Sequence, residues 1–175
     1  RASTMLILAL PGSTYLYQGE EIGLFEVAET PREAMQDPQW FRNPGKARSR
    51  DGCRIPLPWT TTGSSFGFGP AGSHLPMPAD FGKYSVAANE ADANSVLNLY
   101  RKAIAMRRGL QCAEEIKFKF NWNRNVLHFA RPNGWQSFTN FGKSPVKLPN
   151  GKVLLSSQPL VGNQVPGETT VWLQA

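Results

Sequence analysis

The sequence predicts an α/β segment followed by an all-β segment, on three observations. An apolar stretch over residues 1–10 stops at Pro11-Gly12, and the aromatic, extended run Thr14–Gln18 comes next. A long amphipathic helix pattern covers 89–108. Beyond it the hydrophobic period changes from three-and-four to two, the change expected where helices give way to strands.

Taken in order, residues 1–10 read as a helix ended by the Pro-Gly breaker pair. The short β-branched and aromatic run Thr14–Gln18 reads as a buried strand. Helix, tight turn and strand make half of an α/β repeat. From Gly19 to about Ala88 no period is sustained, and Pro, Gly, Ser and Thr dominate, above all in Thr60–Pro78. So long a loop is functional or disordered, and the spaced aromatics Trp40, Trp59, Phe66 and Phe68 argue for order. Asn89 with Asp92 offers a capping-box-like helix start. Ala93, Val96, Leu97, Tyr100, Ala103 and Ile104 continue it as one apolar stripe. Arg107-Arg108 suits the negative end of the helix dipole, and Gly109 is the expected terminator.

Ile116, Phe118, Phe120 and Trp122 then alternate with Lys117, Lys119 and Asn121, predicting a strand with one buried face. Asn123–Asn125 turns into Val126–Arg131, Pro132-Asn133-Gly134 into Trp135–Phe141, and Pro149-Asn150-Gly151 into Lys152–Ser156. Asn-Gly is a hairpin signal because both residues tolerate positive φ. A last strand covers Thr170–Gln174. This tail reads as a small antiparallel β-sandwich.

The 175 residues are enough to bury roughly 70% of the unfolded chain's surface around one good core. The chain is 41% hydrophobic and 18% charged, without an apolar run long enough to span a bilayer, so no membrane partner is expected. It opens on Arg1, and Met5–Leu10 is too short for a signal sequence, which fits a fragment or a processed product. The net charge of +6 raises nucleic-acid binding, but the basic residues are scattered. The densest stretch, Arg42–Arg54, carries Pro, Gly and Asp51 and no nucleic-acid-binding motif, so no nucleic-acid partner is expected. Cys53 and Cys112 read as free thiols of a reducing cytoplasm. His74 and His128 are too few and isolated for a metal site, and His128 reads as structural. No cofactor and no metal are expected.

Glu20 and Glu21 form a tempting carboxylate pair. Adjacent residues of an extended chain point to opposite sides, so the two do not serve together as acid and nucleophile across one bond. One faces a pocket while the other faces solvent or caps a turn. The second candidate region supplies Asp37, Trp40, Arg42, Asp51, Arg54 and Trp59, the planar donors, acceptors and aromatic faces that sugar binding needs. An Asp51–Arg54 fork that merely fixes the loop is the alternative. Gly63–Gly72 lacks the Lys-Ser/Thr ending of a phosphate loop.

Leu-Pro-Gly-Ser-Thr-Tyr-Leu-Tyr-Gln-Gly-Glu-Glu-Ile-Gly-Leu (residues 10–24) and Arg-Asp-Gly-Cys-Arg-Ile-Pro-Leu-Pro-Trp (residues 50–59) resemble the α-glucosidase branch of the α-amylase superfamily, of oligo-1,6-glucosidase and maltase type. His-Leu-Pro-Met-Pro-Ala-Asp (residues 74–80) does too. The resemblance implies the C-terminal part of a (β/α)8 TIM barrel plus a small antiparallel β-sandwich. Residues 1–109 would hold the seventh helix, the eighth strand at Thr14–Gln18, a long substrate loop and the eighth helix at Asn89–Arg108. Residues 110–175 would form the sandwich. An unaccompanied barrel strand leaves an apolar edge exposed.

The implied activity is hydrolysis of terminal α-linked glucose from oligosaccharides with retention. The family's aspartate nucleophile, glutamate acid/base, third aspartate and histidine come from earlier strands, and no Asn-His-Asp phrase occurs here. No catalytic residue is therefore expected in this segment. By resemblance Glu20 lines the sugar-binding end and Arg42 contacts the glucose ring. Asp51, Arg54 and Trp59 shape the pocket and its leaving-group side. The implied partners are an α-glucoside oligosaccharide and the remainder of the barrel. Two rival readings stand beside this one. The first is a non-catalytic relative that keeps the barrel as an interaction scaffold. The second is a sugar-binding sandwich over 110–175, in which Trp122 and Trp135 would stack on sugar, although their alternation favours core burial.

Overall fold

The computed structural model describes residues 1–43, 49–120 and 122–175. Residues 44–48 of the basic stretch and Asn121 of the alternating run lie outside the described residues. The chain forms two compact units, one of residues 1–15 and 99–175 and the other of residues 16–98.

The first unit is built on helix α1 (Ala2–Ala9), the C-terminal part of helix α4 (Val96–Leu110) and seven short strands. These are β1 (Lys117–Phe118), β2 (Val126–Ala130), β3 (Trp135–Asn140), β4 (Val146–Lys147), β5 (Lys152–Ser156), β6 (Gln164–Val165) and β7 (Thr169–Gln174). Five make an antiparallel sheet in the order β1-β2-β3-β7-β5, and β4 pairs with β6 as a separate ribbon. Strands β3 and β7 are central. Ser137 sits opposite Trp172, which puts Trp135, Trp172 and Phe129 on one face with Met5, Leu8, Ala9, Leu99 and Ala103. Phe138, Val171 and Leu173 face the other way and close on Val165. Both faces are covered, so β3 is buried along its whole length instead of alternating.

The expected end of the first helix is confirmed at Ala9, and its cap comes from afar. Arg107 lies in the last turn of α4, as expected, and also donates from Nε to the Leu8 carbonyl (2.7 Å) and from Nη2 to the Gly12 carbonyl (2.7 Å), closing the C-terminal end of α1. Trp172 Nε1 likewise donates to the Met5 carbonyl at 3.0 Å.

Three strand expectations need correction. Thr14–Gln18 forms no strand among the described residues: Thr14–Tyr17 has no regular structure, Gln18 opens a turn, and Tyr15 is 93% exposed. A strand requires a neighbour for its backbone donors and acceptors, and the described residues supply none here. The run from Ile116 to Trp122 shrinks to a two-residue edge strand, Lys117 and Phe118 pairing with β2 and the Lys119 N–H making one further bond to the His128 carbonyl at 2.8 Å. Its apolar face lies open: Phe120 is 80% and Trp122 90% exposed, whereas Trp135 is in the core as expected. Pro149-Asn150-Gly151 does not make a hairpin but carries the chain from the ribbon to the sheet. Pro132-Asn133-Gly134 does turn β2 into β3, with Gly134 at φ 83°.

His128 is structural, as expected. Its Nε2 lies 2.9 Å from Gln136 Oε1, which also accepts from Lys119 Nζ at 2.7 Å. Partial burial lowers the imidazole's pKa, and the Lys119 charge acts the same way against the opposing Gln136 hydrogen bond. The unfolded chain then takes up the proton first as pH falls. This side chain's contribution to stability is complete above about pH 6.5 and is lost below it. Melting temperatures at pH 7.5 and 5.5 should differ more in the wild type than in His128→Gln.

The second unit holds the short helices α2 (Pro38–Arg42) and α3 (Val86–Ala91) and several single 3-10 turns. Its core is Ile55, Leu75 and Phe81, with Leu24, Val27, Phe66 and Met77 against them. The expected single helix from Asn89 is two helices, broken at Asp92–Ser95. Ser85 caps α3 by accepting from the Ala88 N–H, and Ser95 Oγ accepts from Asn98 at the start of α4. Asn89 lies inside α3, where its Oδ1 accepts the Leu97 N–H and its Nδ2 donates to the Ser85 carbonyl. It ties the two helices together. Helix α4 runs on through Gly109 to Leu110. No helix among the described residues is long and apolar enough to cross a membrane.

Candidate functional site

The loop region of the second unit is held by two buried carboxylates. Asp37 caps α2 by accepting the Gln39 N–H at 3.1 Å, and Pro38 follows at a first-turn position where a missing N–H costs nothing. Its carboxylate also accepts the Arg50 N–H (2.9 Å), Arg50 Nε (2.9 Å) and Arg50 Nη2 (2.7 Å), a two-pronged ion pair. Arg54 Nη1 stands 3.9 Å from the same carboxylate. The Arg50 hydrogen bonds hold the Asp37 carboxyl well below the usual carboxylate range, and Asp37 in turn raises the Arg50 pKa.

Asp51 is buried at the start of the 3-10 turn Asp51–Cys53. Its Oδ2 accepts from Ser49 Oγ (2.6 Å) and from the N–H groups of Gln36 (2.9 Å) and Asp37 (3.0 Å). Burial works to raise its pKa, but the Ser49 hydroxyl and the two N–H groups outweigh it, so the net direction is down. The alternative of an Asp51–Arg54 fork is not what forms: among the described residues the fork is between Asp37 and Arg50.

Gly52 then presses on Glu26-Val27. The Val27 N–H donates to the Gly52 carbonyl at 3.0 Å, and a Cβ at position 52 would lie 2.0 Å from the Val27 carbonyl oxygen. Gly52→Ala should therefore cost at least about 1–3 kcal/mol, read as a lowered urea midpoint. A midpoint equal to wild type would contradict this close approach.

Behind that contact lies an open cleft of about 110 Å³, lined by Tyr17, Glu20, Phe25, Glu26, Cys53 and Leu57 among others. Glu20 opens the 3-10 turn Glu20–Ile22, which is entered and left through left-handed Gly19 and Gly23 (φ 99° and 69°). Glu21 turns back, its Oε2 accepting the Gly19 N–H at 2.7 Å. The two carboxylates thus split as pocket wall and turn cap. The Tyr17 hydroxyl donates to the Cys53 carbonyl at 3.1 Å and joins the two walls.

The five sequence-predicted residues are not gathered in one place. Glu20 lines the cleft, while Asp51 stands directly behind its wall. Arg54 follows Asp51's turn with its side chain 41% exposed, beside Asp37. Arg42 is exposed at the last position of α2, and Trp59 is half-exposed; neither lines the cleft. The Trp59 and Thr60 N–H groups both donate to the Phe66 carbonyl, at 2.8 and 2.9 Å. These bonds hold Ser65 and Phe66 in left-handed conformations (φ 56° and 47°) that side chains normally avoid. Phe66 packs on the Ile55–Leu75–Phe81 core, which orders the Gly-rich stretch. Sequence reasoning passed over Arg50 as a site residue, although it heads the quoted motif. Among the described residues no group of three or more His, Cys, Asp or Glu side chains is placed to hold a metal.

With this geometry in place, the comparisons with known proteins name the family. Residues 1–115 match the model described as "Alpha amylase, catalytic domain", and the chain belongs to the alpha-amylase family. It is 35% identical over 130 residues to a Rhizobium meliloti (strain 1021) protein named "Probable alpha-glucosidase", covering 74% of this chain and 23% of that one. The fold matches the crystal structure of an alpha-glucosyl transfer enzyme, XgtA, with a TM-score of 0.78 at 31% identity. That match covers 98% of this chain and 34% of XgtA. A likeness of TM-score 0.79 to the trehalulose synthase MutB of Pseudomonas mesoacidophila MX-45, at 19% identity, covers 98% of this chain and 37% of MutB and bears on fold alone. The chain thus spans about a quarter to a third of the length of these proteins.

Proposed function

We propose that this chain is the substrate-loop part of a retaining α-glucosidase that releases terminal α-linked glucose from oligosaccharides. The observation that carries the reading is the cleft at the Tyr-Gln-Gly-Glu-Glu turn, with Glu20 in its wall and the Asp37–Arg50–Asp51 network directly behind it. The quoted α-glucosidase motifs supply Glu20, Arg50 and Asp51. In this reading residues 1–109 close a catalytic barrel and 110–175 form its C-terminal β domain. The catalytic carboxylates come from outside these 175 residues.

Glu20 faces the sugar, and Arg42, Arg54 and Trp59 approach it from the loop. Hydroxyl hydrogen bonds of this kind assist the reaction where they strengthen as charge develops on the ring. Asp51 shapes the pocket without touching the sugar, because its side chain is buried and its Oδ2 accepts three hydrogen bonds within the loop. The free thiols of Cys53 and Cys112 support a reducing compartment such as the cytoplasm. The test is glucose release from maltose and isomaltose by the full-length protein that carries this chain. Release from either supports the reading. Binding without release favours a non-catalytic scaffold, and neither binding nor release overturns the sugar site altogether.

A further inference from the structure

Ser65 and Phe66 are consecutive residues with side chains and left-handed backbone, a costly arrangement. Such conformations persist only where the surroundings over-determine them, and they gather at functional sites. Here the surroundings do so. The Phe66 carbonyl accepts both the Trp59 and the Thr60 N–H. Ser65 Oγ donates to the Gly69 carbonyl at 2.8 Å, and the Phe68 N–H donates to the Ser65 carbonyl at 3.0 Å. A Cβ at Gly67 would lie 2.9 Å from Thr60 Oγ1. The carbonyls of Pro58 and Trp59 in turn accept from the Val86 and Ala87 N–H groups at the start of α3, at 3.0 and 3.1 Å. The turn sends the Phe66 ring into the Ile55–Leu75–Phe81 core. It leaves Phe68 47% exposed, close to the 50% of Trp59. Core packing explains the first ring and not the second. Leu57, two residues before Trp59, lines the cleft, so the turn is anchored within about 7 Å of chain from the cleft wall.

We propose that Phe68 is a specificity-determining contact for the leaving group: the strained turn that pins Trp59 also holds out the Phe68 ring, which meets the sugar or aryl ring that departs. The inference rests on the α-glucosidase reading above and narrows its substrate class to glucosides whose leaving group is itself a ring. Aromatic side chains carry a large apolar face, and ring contacts add to what burial alone contributes. A pyranose offers the C–H groups of its apolar face to such a surface. A ring on a backbone already fixed by its neighbours has little freedom left to lose when the ligand arrives.

The experiment is steady-state kinetics of the full-length protein on two substrates, with a thermal melt of each variant. One is p-nitrophenyl α-D-glucoside, whose leaving group is an aromatic ring. The other is α-D-glucosyl fluoride, whose leaving group is a single fluoride ion. The readout is the kcat/KM on the first divided by that on the second. Phe68→Ala is expected to lower this ratio about three- to tenfold, the range that a ring contact spans. Phe68→Tyr keeps the ring and is expected to restore the ratio. Phe68→Leu keeps apolar bulk without the planar face and should also lower it. It serves as the probe should Phe68→Ala fail to fold. A ring that merely supports the loop would leave the ratio at its wild-type value in every variant that folds, even where both rates fall together. That result, with an active wild type, overturns the role of Phe68 alone. A wild type that hydrolyses neither substrate overturns the α-glucosidase reading and the role of Phe68 together.

Discussion

Trp172→Ala is expected to produce the largest loss of stability of any single replacement in the unit formed by 1–15 and 99–175. The indole is fully buried at the centre of β7, edge-on to Trp135 with ring centroids 5.0 Å apart. Its Nε1 donates to the Met5 carbonyl, so the side chain also holds α1 on the sheet. Truncating a buried Trp costs about 3–5 kcal/mol through lost transfer energy and the cavity left behind. Leaving the Met5 carbonyl without its donor adds to that. A domain is stable by only about 5–15 kcal/mol, so a large share of the total is at stake. Urea unfolding should show a much lower midpoint with an unchanged slope. Trp135→Phe makes a useful control: Trp135 Nε1 has no hydrogen-bond partner among the described residues, so removing it forfeits none. A Trp172→Ala midpoint no lower than that of Trp135→Phe would contradict the account of this core.

Arg42→Ala should show the largest effect on function. Arg42 is exposed at the end of a helix whose cap and ion-pair anchor, Asp37, lies at the opposite end. Its removal leaves that anchor intact, so the unfolding free energy should change by no more than an exposed surface change allows, roughly half a kcal/mol. Turnover of an α-glucoside by the full-length protein should fall at least tenfold, the loss of one charge-assisted hydrogen bond to the reacting sugar. Near-wild-type kinetics would remove Arg42 from the site. The opposite pattern is expected at Asp37. Asp37→Ala takes away the partner of Arg50 and the cap of α2 at once, so stability and activity fall together.

How far the sequence could be read depended on the kind of signal. Breakers and periods located α1 and most of α4, and the Asn133-Gly134 turn placed β2 against β3. Alternation failed at both extremes of burial. In β3 and β7 both faces are covered, so polar residues such as Thr139 and Thr170 are buried and bond to each other through their hydroxyls at 2.9 Å. In Ile116–Trp122 the pattern was present but the run lies at the sheet edge, where nothing described covers Phe120 and Trp122. Alternation tells which residues share a face. It says nothing of whether that face meets a partner. The Asn89-x-x-Asp92 start misled for a related reason: an Asn that caps a neighbouring helix through space reads, in one dimension, like an Asn that caps its own.

At the site, the motif around Arg50–Trp59 was legible and its internal wiring was not. The sequence offers four charged residues, Asp37, Arg50, Asp51 and Arg54, and several ways to pair them. Only the folded loop shows that Asp37 takes Arg50 while Asp51 takes backbone N–H groups. That choice commits Asp51, among the predicted residues, to holding the loop.

The central claim is that this loop serves a retaining α-glucosidase, and following the anomer of the released glucose by proton NMR tests it most directly. The full-length protein acting on p-nitrophenyl α-D-glucoside, whose only sugar product is the glucose cleaved, is expected to release α-glucose first, with the β anomer rising only as mutarotation proceeds. Initial release of β-glucose, or no glucose from the glucoside, would contradict the account.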